Sequence, residues 1–155
     1  MTNYRKLIKS LRNKFTSRQI NIELTNICNL HCPLCSTGSG FDVSPKGMMD
    51  FGNYKHFIDL CSPLFNTISF LGSGEPMLHP RFIEFVHYAT KVKRKFTACG
   101  TNGEMMRDPE AIVKSGLHMI LVDIDGLNQS QHSIYRVGSD LENVINSTKK
   151  LVAEK

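Results

Sequence analysis

No run in the chain approaches the roughly 18 consecutive apolar residues of a membrane-spanning helix, and the N-terminus lacks the apolar stretch of a secretory signal peptide. A cytoplasmic protein is the expectation. Low-complexity segments are also missing, and 41% hydrophobic residues in 155 suffice to build the core of one domain. Acidic residues are absent from the start of the chain: Arg5, Lys6, Lys9, Arg12, Lys14 and Arg18 all precede the first acid, Glu23, so the net charge of +5 is gathered there and the remainder is nearly neutral. Between those bases, Tyr4, Leu7, Ile8, Leu11 and Phe15 recur at helical spacing, which predicts a basic amphipathic helix over residues 3–15 within a separate N-terminal segment, 1–19. Its apolar stripe is expected to pack on the domain; without interleaved exposed aromatic residues it makes a poor nucleic-acid platform. Cysteine is scarce, five residues in all, and three crowd into one short loop, a distribution unlike a secreted disulfide framework.

That loop reads Cys28-Asn29-Leu30-His31-Cys32-Pro33-Leu34-Cys35. Soft thiolates select zinc, copper(I) or iron-sulfur clusters. A cubane cluster is normally held by four cysteines, whereas this loop offers three, which leaves one iron open, much as catalytic zinc sites keep a position for substrate. Two alternatives stand beside the cluster: a zinc site completed by His31 or Cys61, and three unrelated buried cysteines.

Residues 20–25 alternate apolar and polar side chains and form an expected strand that feeds the loop. After a connection rich in Gly, Ser and Pro, Phe51, Tyr54, Phe57, Ile58 and Cys61 predict a helix capped by Asp50 and stopped before Pro63. Thr67–Leu71 is a second strand, ending at Gly72-Ser73-Gly74-Glu75-Pro76; Pro80 opens the next helix, with Phe82, Phe85, Val86 and Ala89 inward. The run Lys91, Lys93, Arg94 and Lys95 suits that helix's C-terminus. Phe96–Cys99 is a third strand, followed by Thr101-Asn102-Gly103, with Cys99 expected in the core. Asp108 and Pro109 begin a short helix that Gly116 ends. Met119–Ile124 is the fourth strand and runs into Asp125-Gly126; a final helix, opened by Ser139 and Glu142 as a capping box, carries Leu141, Val144, Ile145, Leu151 and Val152 on one face. Strand then helix, four times, is the pattern of a parallel α/β sheet of right-handed βαβ units. All four distinctive stretches fall at the carboxyl ends of strands, where such folds collect function.

The Cys-x3-Cys-x2-Cys loop resembles that of the radical S-adenosylmethionine (radical SAM) enzymes. The resemblance implies a 4Fe-4S cluster on Cys28, Cys32 and Cys35, with S-adenosyl-L-methionine chelating the open iron and cleaved to methionine and a 5′-deoxyadenosyl radical that abstracts hydrogen from a substrate. It extends over residues 20–155, the implied core. Gly74-Glu75-Pro76 is similar to the family element that receives the cofactor's ammonium group, Asn102 in Thr101-Asn102-Gly103 is placed near the cofactor, and Arg136 of Tyr135-Arg136 is placed at its carboxylate. Asp123 stands where many relatives have a serine; it can accept from a ribose hydroxyl but adds negative charge beside a carboxylate-bearing ligand. Leu34 replaces a frequent aromatic and is expected to give the cofactor apolar contact without stacking. Relatives commonly build six units, so the implied fold is a (βα)4 half-barrel, an incomplete TIM-like partial barrel lacking strands five and six. Such a chain is expected to hold a cluster better than it positions the nucleoside, and to expose an edge at Leu121 and Val122 where a partner chain can dock. A flavodoxin- or ferredoxin-type reductant is implied, and a peptide or protein substrate by analogy. A catalytically silent remnant that binds a cluster or a partner chain is the alternative.

Overall fold

β-branched and aromatic residues gather in four short runs, and each contributes a strand. The protein is described here by a computed structural model covering residues 19–155; the amphipathic helix expected over residues 3–15 lies outside the described residues. Strands β1 (Gln19–Asn21), β2 (Thr67–Phe70), β3 (Phe96–Thr101) and β4 (Met119–Val122) form one sheet in the order β1-β2-β3-β4. Every pairing is parallel, with Ile20 opposite Ile68, Ser69 opposite Ala98 and Cys99 opposite Ile120. The four carboxyl ends therefore open on one side of an α/β half-barrel, as expected. No helix among the described residues is long and apolar enough to cross a membrane.

Strand limits differ from expectation where polar groups redirect the chain. The backbone of Ile22 still donates to Ser69 O at 2.8 Å, but Thr25 leaves the sheet for an isolated antiparallel bridge with Met48, and its hydroxyl donates to Gly47 O at 2.8 Å. The chain thus turns out of the sheet just before the cysteine loop. β3 runs on to Thr101, which places that hydroxyl at the strand's very end.

Helix α1 (Phe51–Cys61) starts at Asp50, whose carboxylate accepts from Asn53 N at 2.9 Å. Helix α2 (Phe82–His87) passes into a π-helical turn, Tyr88–Val92; Pro80 lies before its N-cap, Arg81, instead of within its first turn. The basic run beyond it neutralises partners: Lys93 pairs with Asp59 at 2.6 Å, and the Lys95 ammonium donates to the carbonyls of Ser62 and Phe65 at 2.6 and 2.8 Å. Helix α3 (Pro109–Ser115) has its N-cap at Asp108 and its left-handed C-cap at Gly116, φ 86°. Two features depart from the sequence. An unforeseen helix, α4 (Gln129–Tyr135), is capped by Asn128, and α5 (Leu141–Ala153) is capped by Asp140, not Ser139.

The core lies on one face of the sheet. Ile22, Ile68, Phe70 and Cys99 meet Tyr54, Ile58, Phe82, Phe85 and Ile112 from the helices, with Ile120 and Val122 packed at the margin. The alternate strand positions, Asn21, Ser69, Ala98 and Gly100, are small or polar and none belongs to that core. This second face, together with the loops at the carboxyl ends, bounds the site.

Candidate functional site

The loops after all four strands meet over a cleft of about 350 Å³. From the first come Cys28, Cys32 and Cys35; from the second Gly74 and Glu75; from the third Thr101 and Asn102; from the fourth Asp123, with Arg136 arriving from the end of α4. Each site residue named from the sequence thus lines the same cleft. Leu30, Leu71 and Leu121 supply apolar wall.

The cysteine loop is wound tightly. Cys35 N donates to Cys32 O at 3.2 Å and Ser39 N to Cys35 O at 2.8 Å; a side chain at Gly38 would put its Cβ 2.5 Å from Cys32 N. Leu30 N lies 3.5 Å from Cys28 Sγ, and Asn102 Nδ2 lies 3.9 Å from the same sulfur while donating to Asn29 Oδ1 at 2.9 Å. Burial pushes the Cys32 thiol up, opposed by the nearby Arg136 guanidinium and reinforced by Cys28 and Cys35. Among the described residues no three His, Cys, Asp or Glu side chains are arranged to hold a single metal ion. Neither candidate zinc partner lines the cleft: His31, within the loop, is exposed, and Cys61 packs against the core. The three loop thiols line one cleft. Leu34 is 87% exposed and does not line the cleft, contrary to the apolar contact expected of it, whereas Leu30 does line it.

Glu75 is 3% exposed and its carboxylate is tied to its own chain. One oxygen accepts from Met77 N at 3.0 Å and the Thr101 hydroxyl at 2.9 Å, the other from Asn102 N at 2.8 Å. Burial raises its pKa, and these three hydrogen bonds oppose the rise without cancelling it. The residue therefore clamps the loop after β2 to the loop after β3, a duty that the sequence did not reveal because Thr101 is 26 positions away. Gly74 is required beside it: a Cβ there would lie 2.3 Å from Thr25 O and 2.5 Å from Ile27 O. The charge of Asp123 is met within the protein. Arg136 pairs with Asp123 at 3.2 Å and, through Nε, with Asp125. The sequence placed Asp125-Gly126 at the end of the fourth strand among the stretches that converge on the site, but not the pairing of Asp125 with Arg136, 11 positions on.

The family model described as the Radical SAM superfamily matches residues 22–155. The chain belongs to the radical SAM superfamily. Proteins of this superfamily work with a 4Fe-4S cluster and S-adenosylmethionine. Among curated relatives, the chain is 34% identical over 122 residues to an AdoMet-dependent heme synthase of Methanosarcina barkeri, covering 77% of this chain and 34% of that protein. It is 30% identical over 123 residues to a tungsten-containing aldehyde ferredoxin oxidoreductase cofactor-modifying protein of Pyrococcus furiosus, covering 76% and 33%. The radical SAM chain thus spans about a third of the length of these relatives. Of solved structures, BtrN in complex with AdoMet and 2-DOIA aligns with a TM-score of 0.62 at 26% identity, covering 77% of this chain and 50% of that one. Native anSMEcpe with bound AdoMet aligns at 0.70 and 18% identity, covering 88% and 41%, a likeness of fold.

Proposed function

We propose that the chain holds a 4Fe-4S cluster through Cys28, Cys32 and Cys35 and S-adenosylmethionine in the adjoining cleft, and that it belongs to an enzyme that cleaves this cofactor reductively to take hydrogen from a substrate. The observation that carries the proposal is the convergence of three soft thiols, two backbone-rich loops and one arginine on a single cleft. Bound there, the cluster would supply the electron and the sulfonium cofactor the radical.

The protein's own part is to bind and orient. Asn102 donates toward Cys28 Sγ, which partly offsets the thiolate charge. Gly74 keeps the backbone after β2 open to close approach, and the fourth acceptor position of the Glu75 carboxylate, with three already filled, is available to an ammonium group. Arg136, neutralised in part by two carboxylates, still presents guanidinium N–H donors to the cleft and suits a carboxylate. Asp123 retains acceptor capacity for a ribose hydroxyl. A flavodoxin- or ferredoxin-type protein is the proposed electron source. The relatives' names cover a heme synthase, a GTP 3′,8-cyclase and a nucleotide dehydratase, so the shared core does not choose a substrate, and the peptide or protein substrate rests on family analogy alone.

The test is anaerobic reconstitution with iron and sulfide, reduction, and chromatographic measurement of 5′-deoxyadenosine. Its formation in proportion to cluster content is the expected result; a fully loaded cluster that yields none would favour the silent cluster-binding alternative.

A further inference from the structure

His132, on α4, is fully buried at 0% exposure and lies outside the cleft, yet both of its ring nitrogens are engaged. Nδ1 lies 3.3 Å from the backbone N of Asp125, and Nε2 lies 3.0 Å from the hydroxyl of Ser139. The direction of these bonds is set by what lies beyond. Ser139 has one hydroxyl proton and gives it to Glu104 Oε1 at 2.6 Å, because an ionised carboxylate can only accept. The hydroxyl oxygen must then accept from the ring, so Nε2 carries the imidazole proton and Nδ1 offers its lone pair to the Asp125 amide. Glu104 is itself fixed by Asp140 N at 2.6 Å and Asn143 Nδ2 at 2.7 Å. A directed chain of hydrogen bonds thus runs from the loop after β4, through His132, to the loop after β3 and the start of α5.

A second observation is steric. A Cβ at Gly126 would lie 2.4 Å from the backbone N of His132, so the glycine lets the Asp125-Gly126 turn press directly on α4. Asp125 is consequently held by its backbone while its carboxylate, with that of Asp123, holds Arg136 at the cleft. We propose that His132 is a positioning residue: by holding the Asp125 amide it sets one of the two carboxylates that aim Arg136, the other, Asp123, being held by its backbone bond to Thr101 O at 3.0 Å, and so governs S-adenosylmethionine affinity without touching the cofactor. This rests on the function proposed above.

Two isosteric substitutions separate this role from mere filling of space. The terminal oxygen of Asn falls near the place of Nδ1 and the terminal amide of Gln near that of Nε2. His132→Asn therefore keeps an acceptor for Asp125 N–H, and His132→Gln keeps only the contact with Ser139. Calorimetry on anaerobically reconstituted protein is expected to show S-adenosylmethionine binding weakened roughly tenfold in His132→Gln, the scale of one lost charge-assisted contact, and within about threefold of wild type in His132→Asn. Cluster absorbance should be equal in all three. Hydrogen exchange of the peptide containing Asp125, measured without cofactor, should quicken in His132→Gln alone. Gly126→Ala, which displaces the turn from α4, provides a second route and should weaken binding as His132→Gln does. Equal affinities among wild type, His132→Asn and His132→Gln, or a loss shared equally by the two variants, overturns the inference while leaving the functional proposal standing; a cluster-loaded wild type that binds no S-adenosylmethionine overturns both.

Discussion

Cys28, Cys32 and Cys35 share one wall of the cleft, whereas Cys99 lies under the sheet with its thiol raised well above the usual range, first by burial and then by Glu75. Access to the cleft separates the three proposed ligands from Cys99, since burial raises the Cys32 thiol as well. Replacing any one loop cysteine with alanine is expected to abolish most of the visible absorbance of the reconstituted protein, while Cys61→Ala and Cys99→Ala leave it unchanged; the latter should cost about 1 kcal/mol in stability. Iron and acid-labile sulfide assays check this, and full cluster content in the triple variant would remove the loop from the site. Glu75 carries a second prediction. Its folded pKa is raised above an unfolded value of 4.5, so the unfolded chain ionises first and stability falls as pH rises from that value until the folded group ionises too. Glu75→Gln should flatten this fall, and should itself cost about 1–3 kcal/mol because an amide cannot accept from all three donors. Anaerobic urea titrations across pH would show it; parallel slopes in wild type and variant would mean that burial does not govern this carboxylate.

The elements divide by whether their determinants are local. Asp50, Asp108, Pro109 and Gly116 act on their own helix ends, and each stands in the structure where the sequence places it. The cleft was legible for a related reason: every motif follows a strand, and a parallel sheet delivers all such loops to one side. What was hidden depends on distant partners. Ser139 has the spacing of a capping residue, but Glu104, 35 positions earlier, takes its hydroxyl proton, and Asp140 caps α5 in its place by accepting from Glu142 N and Asn143 N. Helix α4 is equally obscure, for Gln129-Ser130-Gln131-His132-Ser133 has almost no apolar period and the helix is held by hydrogen bonds through the buried His132. Asp140→Ala is therefore expected to destabilise the protein by about 1 kcal/mol in urea unfolding, the ordinary cost of a lost N-cap. An unchanged midpoint would return the capping role to Ser139.

At the scale of the molecule, the half-barrel buries one face of its sheet and leaves a strand at the margin. β4 pairs with β3 on one side and, among the described residues, with nothing on the other. Its sequence, Met119-Ile120-Leu121-Val122, has neither the charge nor the proline that proteins use to blunt an edge, and Met119 and Leu121 are 45% and 50% exposed. A row of unsatisfied backbone donors and acceptors beside exposed apolar side chains templates pairing with another strand. Helix α5 does not answer this need, because Val144 and Leu151 pack toward the face that carries Ile120 and Val122 and leave the edge groups free. The 155-residue chain is thus expected to associate as its concentration rises, seen as an earlier elution by size exclusion with light scattering. Met119→Lys, which adds an edge charge away from the cleft, should shift that equilibrium toward monomer with cluster content unchanged. A wild-type chain that stays monomeric at every concentration would mean that the β4 edge is satisfied within the chain itself.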